Sequence, residues 1–354
     1  MTDYPSFFID GAWQPARSTE RFDVISPRTE ERIGSVPSAS TEDIDAAVAA
    51  ARRAFPGWAA RPAAERADLV ARLGAAISAR KDEIAELITE ESGCTLFLSQ
   101  AYQATAPTLS LNYYAELART FPYEEVRERD LGELAGGAGE GTIIPFAGKS
   151  VVVREPVGVV ACLSAFNFAL ACAGQKAGPA LAAGCTVVLK VPEPNPLASF
   201  LLGELAEEAG LPPGVLNIVA AGPAASEHLV RHPDVDLVSF TGSTAVGRRI
   251  GEICGSLVKP CVLELGGKSA GIILEDADLD VALPTLVACS VGTNQGQSCV
   301  CISRILVPAS MHDAVADALA AQIAALKVGD PMEADTVVGP LITSAHRDRV
   351  LGHI

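Results

Sequence analysis

The sequence predicts an α/β protein built around a parallel sheet, and three observations support this prediction. From Val157 onward, short apolar segments rich in β-branched residues alternate with longer segments of helical periodicity. The short segments are apolar along their whole length, as expected where helices cover both faces of a parallel sheet. The chain has 354 residues, of which 49% are hydrophobic and 20% are charged, which is enough for two domains with a large core.

Helices are predicted ahead of this alternating region. Ser40 and Asp43 match a capping box that precedes apolar residues at the helical period. A long stretch rich in Ala, Leu and Ile begins at Pro62 and is followed by Gly93, which is the usual punctuation of a helix. The three predicted helices span residues 41–55, 62–91 and 101–120.

The alternating region defines strands and helices in turn. Each predicted strand is short and rich in Val, Leu, Ile or Cys. The predicted strands are 157–163, 186–191, 215–219, 235–241 and 261–265, and the helices between them include 170–183 and 196–209.

The segment before this region changes character. Residues 131–141 are rich in glycine and weakly patterned. Because no strand precedes the cluster at 137–141 and no helix follows it, we interpret the segment as a flexible loop and not as a phosphate-binding loop. Residues 150–154 are predicted to form a strand that leads into the next domain.

Composition and charge exclude several classes of protein. The formal net charge of −16 leaves no basic stripe to neutralise nucleic-acid phosphates, although helix N-termini could still bind an anionic cofactor. The N-terminus lacks a signal-peptide pattern, and no apolar run is long enough to span a bilayer. The nine cysteines lack paired spacing and indicate reduced thiols in a cytoplasmic protein. The five histidines show no ligand spacing, so no metal is expected.

The segment Asn294-Gln295-Gly296-Gln297-Ser298-Cys299 carries the strongest chemical signal. It has no charge and places a cysteine after a glycine and two amides. Glu264 lies 35 residues earlier (299 − 264), where it ends an apolar run and precedes two glycines. A thiol nucleophile and a carboxylate base, each near glycines that let backbone approach closely, predict covalent acyl chemistry. Two plainer interpretations stay open: an inert cysteine, and a buried Glu264 paired with Lys268.

Asn167 is the third catalytic candidate. It follows the strand 157–163, where its amide could donate to a developing oxyanion. Asparagine is also common in ordinary strand-to-helix turns, so this pattern alone does not decide. We interpret Cys301, two residues after Cys299, as structural.

Two other strand ends could bind a cofactor. The strand 237–241 leads into Gly242, Ser243 and a helix, so a phosphate could lie at the helix N-terminus and accept the Ser243 hydroxyl; the same residues could form a plain helix cap. Lys190 ends another strand and, with Glu193, could bond the ribose hydroxyls of a dinucleotide. Glu193 would repel a 2′-phosphate, which favours NAD over NADP, and the alternative is a surface ion pair.

These motifs together resemble those of the aldehyde dehydrogenase superfamily, in the family's order and at similar spacing over nearly the whole chain. Arg154-Glu155-Pro156-Val157-Gly158 also resembles the family's entry to the cofactor sheet, and Gly339-Pro340-Leu341-Ile342 resembles a segment downstream of the cysteine. The motifs that carry the resemblance are Asn167, Lys190 with Glu193, Phe240-Thr241-Gly242-Ser243, Glu264-Leu265-Gly266-Gly267-Lys268 and Asn294-Gln295-Gly296-Gln297-Ser298-Cys299.

The resemblance implies a fold and a set of roles. A Rossmann-like cofactor domain is expected at 1–127 and 157–263, an oligomerisation hairpin at 128–156, and an α/β catalytic domain from 264 to 354. Cys299 would attack an aldehyde, Asn167 and the Cys299 backbone N–H would stabilise the oxyanion, and Glu264 would activate water. The implied cofactor contacts are Lys190, Glu193, Gly242, Ser243, Val246, Leu265, Gly266 and Phe166, and the implied substrate contacts are Phe168, Cys172 and Ser298.

The chain departs from the family's pattern in two motifs and in length. Ala165-Phe166 stands where the family usually has Pro-Trp, and Val191-Pro192 separates Lys190 from Glu193 where the family has Pro-Ser or Pro-Ala. Family members continue beyond the position of Ile354 with a Glu-x-Phe-Gly-Pro segment, whose glutamate holds the nicotinamide ribose. The resemblance therefore implies an incomplete catalytic domain, and a homodimer or homotetramer for a full-length form.

The interpretation is a cytoplasmic enzyme that oxidises an aldehyde to a carboxylic acid with NAD, with neither nucleic acid nor membrane as partner. Phe168 and Cys172 suggest a medium or aromatic aldehyde. One alternative is a CoA-acylating aldehyde dehydrogenase, although such relatives generally lack an equivalent of Glu264. The other is a non-catalytic, truncated NAD-binding fragment.

Overall fold

The computed structural model describes residues 1–130 and 147–354. The strands, numbered along the chain, are β1 (Thr2–Asp3), β2 (Ser6–Ile9), β3 (Ala12–Pro15), β4 (Arg21–Ile25), β5 (Arg32–Pro37), β6 (Glu124–Asp130), β7 (Ala147–Val153), β8 (Val159–Leu163), β9 (Thr186–Val191), β10 (Leu216–Ala220), β11 (Leu237–Gly242), β12 (Cys261–Leu265), β13 (Ser269–Ile272) and β14 (Ile302–Leu306). The helices are α1 (Thr41–Ala59), α2 (Ala63–Ala79), α3 (Lys81–Ser92), α4 (Leu96–Leu98), α5 (Ala106–Thr120), α6 (Ala169–Ala183), α7 (Leu197–Glu208), α8 (Pro223–Arg231), α9 (Thr244–Ser256), α10 (Leu279–Ala288), α11 (His312–Ala324) and α12 (Ser344–Leu351). A π-helical turn spans Ser99–Gln103, and 3-10 turns span Asn294–Gly296 and Ala309–Met311.

A seven-stranded sheet in the order β12-β11-β8-β9-β10-β2-β3 forms the centre of the fold. Its first five strands are parallel, which confirms the predicted sheet, and every residue of β8 and β10 is buried. Helices α1 and α6 both pack against β8 and β9. Because parallel strands end at one edge of a sheet, the polar residues that follow them are brought to a common edge.

An antiparallel hairpin, β2–β3, extends this sheet and was not predicted. The signal for it is the Asp10-Gly11 pair between two short apolar segments, since both residues have positive φ, 57° and 72°. A two-residue turn of this kind matches the twist of a hairpin and is typical of Asp-Gly.

The N-terminal helices agree with the sequence in kind and differ in their bounds. The Ser40–Asp43 capping box is formed, and Gly93 ends α3 in the left-handed conformation at φ 74°. The helix predicted over 62–91 is interrupted at Arg80, whose guanidinium bonds Glu83 on α3 and Glu204 on α7. The helix predicted from residue 101 begins at Ala106, because a π-helical turn precedes it and proline is favoured at a helix start.

Three smaller sheets complete the architecture. Strands β1, β5 and β4 form one, β6 and β7 pair as an antiparallel hairpin, and β13 pairs with β14 in parallel. The glycine-rich loop predicted at 131–141 lies outside the described residues. The proposed domain boundaries therefore stay predictions.

The buried apolar residues cluster beside the sheets. A large apolar cluster surrounds the seven-stranded sheet, and a small separate one, built on Ile273, Leu283, Leu286 and Val315, lies beside β13 and β14. Within residues 1–130 and 147–354, no helix has the length and apolar composition needed to cross a membrane.

Candidate active site

The pairing of β13 with β14 brings the two main candidate residues together. The strands run in parallel, and Ser269 pairs with Ile302. Glu264 lies five residues before the first of these (269 − 264), and Cys299 lies three residues before the second (302 − 299). The segments that carry the carboxylate and the thiol therefore enter one small sheet side by side. A Cβ added at Gly267 would lie only 3.7 Å from the carbonyl oxygen of Cys299.

All six residues predicted to be catalytic or to contact the substrate line one cavity of about 1100 Å³. Glu264 and Cys299 are exposed, and Asn167 is half-buried at the turn between β8 and α6. These residues are Asn167, Phe168, Cys172, Glu264, Ser298 and Cys299. These six residues, which span 132 positions of sequence (299 − 167), are thus neighbours in space, while their roles stay predictions.

The thiols around this cavity differ in accessibility. Cys299 is exposed, whereas Cys301 is buried and its thiol donates to the Ser290 carbonyl at 3.2 Å. Burial raises the pKa of Cys301 and also that of Cys172. Because the thiolate is the reactive form and needs access to substrate, Cys299 is the best-placed nucleophile of the three.

An ion pair between Glu264 and Lys268 was one interpretation of the sequence, and the described residues do not form it. Lys268 donates from Nζ to the Gly267 carbonyl at 3.1 Å. Within the part of the chain that the structure describes, no salt bridge joins Glu264 to Lys268. The carboxylate is therefore available to a water molecule in the cavity.

The amide of Asn167 has a fixed orientation. Its Nδ2 donates one hydrogen to the Gln297 carbonyl at 2.9 Å, which leaves the second N–H for another acceptor. Among the described residues, the backbone N–H of Cys299 has no acceptor. An oxyanion on a carbon bound to Cys299 would need N–H donors of this kind.

The turn before Cys299 is strained. Asn294, Gln295 and Gly296 all have positive φ, at 48°, 56° and 75°. A non-glycine residue in this region costs about 1–3 kcal/mol and persists only when its surroundings hold it there. Strain of this kind is common at functional sites, and it leads to the hypothesis that this turn positions Cys299.

Three side-chain amides anchor the turn to separate parts of the protein. Asn294 donates from Nδ2 to the Asn167 carbonyl at 3.0 Å, and Gln295 donates from Nε2 to the Gly93 carbonyl at 3.0 Å. Gln297 accepts at Oε1 from the Ile342 backbone N–H at 3.2 Å. In the sequence these amides form a motif without an evident role, whereas in the structure they hydrogen-bond the backbone of three other segments and hold the turn that precedes Cys299.

We expect Asn294→Ala to lower kcat about 10- to 100-fold while the protein still folds, because misplacing a reacting group by about 1 Å has effects of this size. The Asn294→Gly variant is the matched control, since glycine accepts positive φ without strain but lacks the amide. If the Asn294 amide positions Asn167, both variants lose activity, and Asn294→Gly has a higher melting temperature than Asn294→Ala. An Asn294→Gly enzyme with wild-type kcat would show that the bond to Asn167 is dispensable.

The predicted cofactor contacts lie along the carboxyl edge of the central sheet, outside the cavity that holds Cys299. Glu264 pairs with Thr241, and the next pair, Leu265 with Gly242, lies beyond the cavity. Lys190 lies in β9, where burial lowers its pKa and the nearby Glu193 opposes that shift.

The N-terminus of α9 has the chemistry of a phosphate site. Ser243 caps the helix by accepting from the Val246 N–H at 3.4 Å, so the plain cap considered from sequence is formed. The cap uses the Ser243 oxygen as acceptor and leaves its hydroxyl hydrogen available to a phosphate. Val246 is 48% exposed, so the first turn of the helix is open to a ligand.

Phe166 is held by its backbone. Its carbonyl accepts from Asn195 Nδ2 at 2.8 Å, and its ring lies edge-on to His346 at 5.2 Å. This bond fixes the turn immediately before Asn167. Among the described residues, no group of three or more His, Cys, Asp or Glu side chains could hold a metal ion.

Lys176, a charged residue of this cavity, was not predicted from the sequence. Lys176 on α6 is 7% exposed and donates from Nζ to Ser239 Oγ at 3.2 Å. Burial lowers its pKa, and its charge interacts with that of Glu264 across the cavity. The available signal was a single cation inside an otherwise Ala- and Gly-rich helix, since a buried lysine needs a polar partner.

The chain is similar to known proteins over nearly its whole length. Residues 13–354 match the model of the aldehyde dehydrogenase family. A geranial dehydrogenase of Castellaniella defragrans is 42% identical over 354 residues, covering 99% of this chain and 71% of that protein. A 3-succinoylsemialdehyde-pyridine dehydrogenase of a Pseudomonas species is 40% identical, with 99% and 69% covered.

Solved structures agree with these relatives. The Mycobacterium tuberculosis aldehyde dehydrogenase complexed with NAD+ superposes with a TM-score of 0.92 at 40% identity, covering 99% of this chain and 70% of that one. The family model and the relatives each span nearly the whole chain, and the site residues lie within the matched range. The chain therefore belongs to the aldehyde dehydrogenase family, a family of aldehyde-oxidising enzymes.

Proposed function

We propose that this protein oxidises an aldehyde to a carboxylic acid with NAD as hydride acceptor, through a covalent intermediate on Cys299. The balanced reaction consumes the aldehyde, NAD+ and water, and it yields the acid, NADH and a proton. The observation that carries the proposal is the cavity in which an exposed thiol, an exposed carboxylate and an oriented amide meet. Each of these groups has a distinct task in acyl transfer.

The first task belongs to Cys299. Its sulfur attacks the carbonyl carbon, and the carbonyl oxygen becomes an oxyanion in a thiohemiacetal. The free N–H of Asn167 and the backbone N–H of Cys299 donate to that oxygen. The hydrogen bonds of the anchored turn hold the Asn167 segment and the Cys299 backbone at a fixed position relative to each other.

The second task belongs to Glu264. Loss of hydride from the thiohemiacetal leaves a thioester on Cys299, which must be hydrolysed. Glu264 lines the cavity and can take a proton from water as that water attacks the thioester carbonyl. The acid then leaves, and the thiol is restored.

The residues present fit a dinucleotide. Lys190 and Glu193 would bond the hydroxyls of the adenine ribose, and Ser243 with the first N–H groups of α9 would bind the pyrophosphate. When bound, the nicotinamide supplies a two-electron hydride acceptor. Gly242 and Leu265, paired on adjacent strands, border this edge of the sheet.

An aldehyde panel tests the proposal, with NADH absorbance and the carboxylic acid product as the two readouts. We expect acid and NADH in equal amounts, without any requirement for CoA. Formation of an acyl-CoA in place of the acid would favour the CoA-acylating alternative. Binding of NAD with no NADH formed from any aldehyde would favour the non-catalytic alternative.

Exchange of Glu193 tests the choice of cofactor. We expect Glu193→Gln to raise the ratio of kcat/KM for NADP to that for NAD by about 10- to 100-fold, because two like charges a few ångströms apart near a surface repel strongly. The matched control is Glu207→Gln, which removes the same charge from the exposed side of α7. Equal ratios in the wild type and Glu193→Gln would show that Glu193 does not face the ribose.

A further inference from the structure

The cavity that holds Cys299 has an apolar side, which we call the apolar wall and which consists of Leu98, Tyr102, Phe168, Cys172 and Val300. Phe168 directly follows Asn167, and Val300 directly follows Cys299. The wall therefore begins beside the proposed nucleophile and its oxyanion donor. A substrate whose carbonyl carbon meets Cys299 has to place the rest of its structure near these side chains.

Part of the wall is an aromatic pair, one member of which lies on a π-helical turn. The rings of Tyr102 and Phe168 meet edge to face, with centroids 5.4 Å apart and an interplanar angle of 83°. Tyr102 belongs to the π-helical turn Ser99–Gln103, and such turns occur frequently at functional sites. Tyr102 is 42% exposed and Val300 is 70% exposed, so this apolar surface gains from a hydrocarbon that covers it.

None of the charged residues that line the cavity belongs to the apolar wall. Among the described lining residues, the charged ones are Glu155, Lys176 and Glu264. Lys176 is buried and already bonded to Ser239 Oγ, and Glu264 would repel a substrate carboxylate. Glu155 also lines a neighbouring cavity with Arg66 and Arg154, which places it at the border with that cavity.

The other polar residues that line the cavity, among them Gln175 and Thr293, are uncharged. A carboxylate placed against the apolar wall would lose its water without gaining a cation there, and an ammonium group would find no carboxylate on the wall. Edge-to-face packing also uses one aromatic face for the neighbouring ring, which leaves less of the pair for a cation.

We propose that the substrate is a neutral aldehyde with an apolar chain or ring, and that Tyr102, Phe168 and Leu98 hold its hydrocarbon part. This inference rests on the proposed function, because it assumes that the carbonyl lies at Cys299. It assigns to these side chains a selection against aldehydes that carry a carboxylate or a quaternary ammonium group.

Two pairs of aldehydes of equal shape test the proposal. Isocaproaldehyde is compared with succinic semialdehyde, in which two oxygens replace two methyl groups. The second comparison sets tert-butylacetaldehyde against betaine aldehyde, in which a charged nitrogen replaces a carbon. We expect the neutral member of each pair to have a kcat/KM higher by about 100-fold or more, the effect of an unpaired buried charge. A charged member that equals or exceeds its neutral partner would overturn the inference and leave the proposed function standing.

Side-chain truncation locates the selection. We expect Leu98→Ala and Tyr102→Ala to lower kcat/KM for isocaproaldehyde about 5- to 20-fold, the effect of losing the burial of one apolar side chain, and to lower kcat/KM for acetaldehyde, whose single methyl group covers less of the wall, by a smaller factor. Leu109→Ala is the matched control, since Leu109 lies on the exposed side of α5 and is 64% exposed. Equal losses for both aldehydes would show that the wall supports the fold and does not select the substrate.

A binding measurement separates the two proposals if no aldehyde is oxidised. Alkylation of Cys299 by iodoacetamide is followed by peptide mass spectrometry in the presence of isocaproamide or succinamic acid. We expect only the neutral amide to protect Cys299. Protection by succinamic acid to the same degree would refute the apolar selection, whereas absent turnover with protection by isocaproamide would refute the proposed function alone.

Discussion

Replacing Cys299 by alanine is expected to abolish aldehyde oxidation, with a loss in kcat of at least about 10⁴-fold, as for other removed nucleophiles. The thiol is exposed in the cavity and no other cysteine there combines exposure with access to Asn167 and Glu264. Alanine fills nearly the same space, and the anchored turn does not use the Cys299 side chain. The measurement is NADH formation together with NAD binding, which we expect to remain unchanged.

Cys301→Ala is the matched control for this experiment. Cys301 lies two residues away, is buried, and bonds the Ser290 carbonyl. We expect this variant to lose some stability and to keep most of its kcat, because it removes a buried side chain away from the cavity. If Cys299→Ala kept the wild-type rate, or if Cys301→Ala alone lost it, the nucleophile would be misassigned.

Replacing Glu264 by glutamine is expected to separate the two halves of the reaction. The thiol can still form the thioester, so one equivalent of NADH appears rapidly per active site. Hydrolysis then slows by about 10²- to 10⁴-fold, because glutamine cannot take a proton from the attacking water. The change is nearly isosteric, and Glu264 lies at an exposed strand end, so we expect the fold to be retained.

Rapid-mixing measurements of NADH reveal the burst and the slow phase. The control is Glu275→Gln, the same change at an exposed position after β13. We expect wild-type steady-state rates for this control. A Glu264→Gln enzyme that lacks both burst and turnover would place Glu264 in the first step, and one with full turnover would remove it from the mechanism.

Much of the central sheet could be read from the sequence because its strands are uniformly apolar. The segments 186–191 and 261–265 were predicted with the bounds that β9 and β12 have. Buried parallel strands leave few alternatives, since a continuous β-branched run between helical segments has one favourable position. The edge hairpin β2–β3 was missed, although Asp10-Gly11 was a usable signal.

Breaks within long helical patterns were less predictable. Periodicity continues through Arg80, where the helix breaks and where the guanidinium bonds Glu83 and Glu204, of which the second lies far along the chain. Tertiary contacts of this kind do not appear in a local pattern. The π-helical turn that positions Tyr102 is similarly invisible to a rule based on a period of 3.6 residues.

The candidate site was predicted as a set of residues, and the structure supplies what holds them together. Asn167, Glu264 and Cys299 are named by motif, but the sequence does not show that β13 pairs with β14 or that three amides anchor the turn. Gln295 contacts the Gly93 carbonyl across 202 positions of sequence, a relation that no motif contains. The positioning of these residues depends on long-range contacts, which a local sequence pattern does not contain.

The most direct test of the account is to identify where the acyl group forms. The Glu264→Gln variant is mixed with NAD and an apolar aldehyde, quenched with acid during the burst, digested, and mapped by mass spectrometry. We predict one acyl group per chain, attached to the sulfur of Cys299 and absent when NAD is omitted. An acyl group on any other side chain, or stoichiometric NADH without an acyl group on Cys299, would contradict the account.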